Sequence, residues 1–101
     1  MDRKILDRLW KELEAARRSP QTADDLEALA GTAERSIRTG GKHVMWVSPF
    51  PHRPFPIPRH GKEPVARHVR KVVLDALSAD AAAWEEVLDR IERKQNGNGE
   101  A

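Results

Sequence analysis

The apolar residues near the start of the chain, Leu6, Leu9, Trp10 and Leu13, fall at i, i+3, i+4 and i+7. That spacing gathers them on one face of a helix over residues 3 to 18, with charge on the other side. Ser19-Pro20 stops it, because proline cannot continue a helical ladder. Thr22 with Asp25 three residues on resembles a capping box. It opens a short second helix edged by Leu26, Leu29 and Ala30, and Gly31 is its expected stop.

From Arg35 the period becomes extended. Ser36 to Thr39 predicts a strand, and Gly40-Gly41 a hairpin turn, since both glycines tolerate positive φ. His43 to Ser48, with Val44, Met45, Trp46 and Val47 together, predicts the strongest strand. Pro49 through Pro54 exclude a central strand there, and Phe55 to Pro58 returns as a short edge strand. Pro64 suits a first helical position. Val65, Val69, Val72, Val73 and Ala76 then form a buried stripe that leaves Arg67, Arg70 and Lys71 exposed. Ser78 reads as the cap of a last helix, in which Trp84, Val87, Leu88 and Ile91 share a face.

The order α-α-β-β-β-α-α predicts an α+β fold, a three-stranded antiparallel sheet with helices packed on it. Residues 1 to 94 are expected to form one domain, with 95 to 101 a disordered tail. The outer helices either pack on each other and close the sheet's open edge, or form a homodimer interface.

Charge changes this picture. Nine of the 18 Lys/Arg lie between Arg35 and Lys71 beside a single acid, Glu63, for a net +8. The other nine cations and fifteen acids leave −6 on the rest. A basic centre between acidic ends suits a polyanion, the plainer alternative being a solvated surface. The absence of cysteine excludes disulfides and thiolate metal sites. No apolar run approaches the roughly 20 residues that span a bilayer, and the first residues are too acidic for an export signal. A soluble cytoplasmic protein without membrane contact is the expectation. His43, His52, His60 and His68 recur at spacings of nine, eight and eight, which match no compact metal-ligand pattern.

Gly40-Gly41-Lys42-His43, entering an apolar strand, resembles the Gly-Ser-x-His entry of HicA toxins. Ile57-Pro58-Arg59-His60, followed by Lys62-Glu63, is similar to that family's third strand and its turn into the last core helix. Val65 to Leu74 is similar to its closing helix. The resemblance covers about residues 22 to 78. It implies a double-stranded-RNA-binding-domain-like core and an mRNA interferase that cuts RNA without a metal or cofactor. It further implies a HicB-like antitoxin that covers the site. By position His43 would be the catalytic histidine and Gly40 the turn that lets its strand start. Gly41 stands where the family most often has serine, the insert Ser48 to Pro54 replaces a tight hairpin, and the first and last helices lie outside the match.

Metal-independent RNA cleavage needs one group to take a proton from the 2′-hydroxyl, another to protonate the leaving 5′-oxygen, and cations around the phosphorane. Histidine suits the proton steps, since an unperturbed pKa of about 6.5 populates both forms near neutrality. His43 is therefore read as general base or acid, and His60 as the candidate second proton carrier. Arg38, Gly40, Gly41, Lys42, Arg59, Lys62, Arg67, Arg70 and Lys71 are the candidate RNA contacts. Trp46 reads as core rather than as a base-stacking platform. The alternatives are an RNA-binding module of the same fold without cleavage, and an interaction protein assembled through its outer helices.

Overall fold

A computed structural model describes residues 1–59 and 61–99. The class is α+β, in the order α1 (Arg3–Ala16), α2 (Ala23–Thr32), β1 (Ser36–Gly40), β2 (His43–Val47), β3 (Phe55–Pro56) and α3 (Arg67–Gly99). No helix among the described residues is long and apolar enough to cross a membrane.

Asp2 caps α1, its carboxylate accepting from the Ile5 amide at 2.8 Å. The face it buries is Leu6, Leu9, Leu13 and Ala16, whereas Trp10, expected on that face, stays 36 % exposed. α2 begins with the expected capping box: Thr22 Oγ1 accepts from the Asp25 amide at 3.2 Å, and Asp25 Oδ2 from the Thr22 amide at 2.9 Å. Gly31 does not stop α2. The left-handed residue is Glu34, at φ 69°. Around it the Glu34 amide donates to the Gly31 carbonyl and the Arg35 amide to the Ala30 carbonyl, a Schellman ending on a non-glycine residue. The chain's amino terminus pairs with the Glu34 carboxylate at 2.6 Å.

The antiparallel sheet has the order β1-β2-β3. Gly40 pairs with His43, so the two-residue turn is Gly41-Lys42 rather than Gly40-Gly41. Gly41 alone takes positive φ there, at 76°, as a type II′ turn requires of its first central residue. β3 shrinks from the expected four residues to two, which pair only with Met45 and Trp46. Prolines at 54, 56 and 58 remove every second ladder donor, so the pairing ends almost as it begins.

The two expected C-terminal helices are one. α3 passes through Ser78 without a break, because residues 76–83 are rich in alanine and hold no glycine or proline. The Ser78 hydroxyl instead accepts from Arg17 Nη2 at 3.1 Å. α3 starts at Arg67, while Pro64 bridges to Thr22. Residues 95–99, expected as tail, are its last turns. Its buried stripe also differs: Val73, Leu74, Leu77 and Ala81 are buried, and Val72 is 58 % exposed.

The core is built chiefly by the helices, with leucines of α1 and α2 meeting Val73, Leu74 and Leu77 of α3. The sheet and the segments beside it add Phe55, Ile57 and Val65. The first and last helices pack on each other within the chain, and Arg3 of α1 pairs with Glu85, Asp89 and Glu92 of α3. They do not close the sheet: all five residues of β1 are exposed.

Candidate functional site

The sheet's first and last residues have different surroundings. At its base the Arg35 guanidinium, fully buried, donates through Nε to Asp80 Oδ2 at 2.6 Å and through Nη2 to Oδ1 at 3.2 Å. Its Nη1 donates to the carbonyls of Trp46 (3.0 Å) and Arg53 (3.1 Å), and it lies 4.4 Å over the Phe55 ring. Asp80 Oδ1 also accepts from the Ser48 hydroxyl at 2.9 Å and stands 2.7 Å from His52 Nδ1. An ionised carboxylate only accepts, which places a proton on that nitrogen. One buried ion pair thus holds β1, the end of β2, the proline-rich insert and α3 together. Arg35 and Asp80 were missed from sequence. The available signal was an acid on an apolar stripe, since Val73, Leu77, Asp80 and Trp84 fall at i, i+4, i+7 and i+11.

The tip is open. His43 is the first residue of β2 and is exposed. Its cross-strand partner Gly40 carries no side chain, and Arg38 lies diagonally on the same face. A Cβ added to Gly40 meets nothing within 4 Å, so neither crowding nor the turn demands glycine there. A cleft of about 630 Å³ opens between the hairpin's other face and α2. Ile37, Val44 and Trp46 line it from the hairpin, Ile57, Pro58 and Arg59 from the segment after β3, and Glu27 from α2. Lys42 and His43 line it as well, because β3 has ended and that edge of β2 is uncovered. Trp46, read as core, is half-buried: it packs on the core and also faces this cleft.

Arg59 is not a free cation. Its Nη2 donates to Asp24 at 2.9 Å and to Glu27, and hydrogen bonds to those two carboxylates raise its pKa. Lys62 is exposed in the turn before α3. Arg67, Arg70 and Lys71 line a separate groove of about 250 Å³ with Arg17 and Leu74. There Arg70 donates to the Ser19 carbonyl at 2.8 Å. Asp75 bonds Lys71 at 2.7 Å and Arg17 at 2.9 Å, and these partners lower its pKa. The expected RNA contacts are therefore scattered: Arg38, Gly40, Gly41 and Lys42 at the hairpin tip, Arg59 paired to α2, Lys62 in the turn before α3, and Arg67, Arg70 and Lys71 in the groove with Arg17. His60 lies outside the described residues. His52 is bound to Asp80 at the sheet's base together with Ser48, which lies five residues along from His43, or roughly 16 Å at strand rise. Compared with protein-family models, curated proteins and solved structures, the chain matches none.

Proposed function

We propose that the chain is a toxin-type, metal-independent endoribonuclease of the HicA-like kind, acting on mRNA and neutralised by a HicB-like antitoxin. The observation that carries this reading is the exposed His43 at the mouth of β2, lining the edge of an open cleft and among the cations of the hairpin tip. A phosphodiester can reach that ring without rearrangement of the body.

In the proposed reaction the 2′-oxygen attacks phosphorus while the P–O5′ bond breaks. The proton of the 2′-hydroxyl leaves to a base, and the 5′-oxygen takes one from an acid. His43 serves one of these transfers, each typically worth about 10²–10⁴-fold. Arg38, on the ring's own face, and Lys42, immediately before it, would offset charge on the phosphoryl oxygens. Arg59 contributes less than its sequence position suggested, since Asp24 and Glu27 already compensate it. The packing of Leu6, Leu9 and Leu13 into the chain's own core favours this reading over assembly through the first helix.

The test is digestion of RNA by the purified protein in excess chelator. Cleavage should persist and leave 2′,3′-cyclic phosphate ends. Loss of cleavage in chelator, restored by Mg²⁺ or Zn²⁺, would contradict the mechanism.

A further inference from the structure

Ile37 and Val44 are 55 % and 47 % exposed, although each stands on the hairpin face that carries the half-buried Trp46. Ile37 and Trp46 are cross-strand partners, and Val44 lies two residues along β2, so the three form one apolar floor. Opposite that floor, in the same cleft, lies a polar pair: the Glu27 carboxylate bonded to the Arg59 guanidinium. Glu27 is held by its partner and is 24 % exposed. The cleft's 630 Å³ falls within the ~300–1,000 Å³ of small-ligand sites. Apolar walls with a few convergent polar groups are the usual composition of such sites.

We infer that this cleft is a nucleobase subsite, taking one unstacked base of a single-stranded RNA, and that Glu27 selects guanine. The inference rests on the RNA-cleaving reading and says where the base next to the cut sits. A base face packs on the apolar floor as bases pack on exposed aromatics. The carboxylate wants N–H donors, and Arg59 wants an acceptor. Guanine alone presents two adjacent donors, N1–H and N2–H, to a carboxylate with O6 beside them for Arg59, whereas adenine and cytosine offer a single amino donor on that edge. Uracil presents two carbonyl oxygens around one N–H, so one of them faces the carboxylate. A phosphate does not fit the same place, because Glu27 and Asp24 outweigh Arg59 there. His43 lines the cleft too, which keeps the seated base within a nucleotide of the imidazole.

The experiment uses the full-length His43→Ala protein, so that binding is read without cleavage. Fluorescein-labelled pentauridylate and the same pentamer with a central guanine are titrated by anisotropy. The guanine pentamer should bind about 10-fold more tightly, the discrimination expected of one well-seated base. Glu27→Gln should collapse that ratio toward one, even though release of Arg59 raises affinity for both RNAs. Val44→Ser, at an exposed position, should weaken the guanine pentamer several-fold. Equal binding of the two pentamers, or a ratio that Glu27→Gln leaves unchanged, overturns the subsite and leaves the apolar floor to a protein partner. Cleavage by the unsubstituted protein is scored separately. Cutting without a binding ratio sinks the subsite alone, and a ratio without cutting sinks the nuclease reading alone.

Discussion

The helical body and the hairpin tip are built to opposite rules. In the body Leu6, Leu9, Leu26 and Leu77 are fully buried, and each helix is capped or clasped to another. In the hairpin every residue of β1 is exposed, and the first two residues of β2 have no partner on the β3 side. The body holds the buried leucines, and the tip displays an exposed histidine, two cations and a cleft with apolar walls. A buried charge pair, Arg35–Asp80, joins the two, beside the packing of Trp46, Phe55 and Ile57 on the core.

That junction is where the division breaks most readily. Asp80→Ala leaves the Arg35 charge buried and unpaired, and frees Ser48 and His52 from α3. The expected loss is about 3–5 kcal/mol, read as a fall in the urea midpoint of unfolding. A loss below about 1 kcal/mol would mean that the junction is not what binds hairpin to body. At the tip the expected effects are smaller and local. Gly41→Ala, forced to φ 76°, should cost about 1–2 kcal/mol, whereas Gly40→Ala one residue earlier should stay within about 0.5 kcal/mol. Equal costs at the two glycines would show that the turn is not the one described.

Much of this division was legible in the sequence. The leucine spacing of α1, the Thr22–Asp25 box and the strand from His43 to Val47 each follow from local pattern, and local pattern decided them. The failures came where distant parts of the chain intervene. Ser78 looks like a cap, but a cap needs a break in the helical backbone, the alanines around it favour continuation, and its hydroxyl is taken by Arg17, 61 residues earlier. Gly31 looks like a stop, yet Glu34 takes the left-handed conformation, with the amino terminus at its carboxylate. Arg59 looks like a phosphate contact until α2 brings Asp24 and Glu27 against it, more than thirty residues away in sequence. Asp80 shows only as an acid out of place, and its partner Arg35 lies 45 residues earlier. The positions of His43 at a strand start and of a glycine turn just before it were readable because both are local, although the turn itself sits one residue later than expected.

The most direct test of the account compares RNA cleavage by the unsubstituted protein and His43→Ala, with thermal unfolding followed on the same samples. The ring is exposed and off the core, so its removal should slow cleavage about 10²–10⁴-fold while stability changes by less than about 0.5 kcal/mol. Undiminished cleavage by a folded His43→Ala protein would contradict the assignment of the reaction to the hairpin tip.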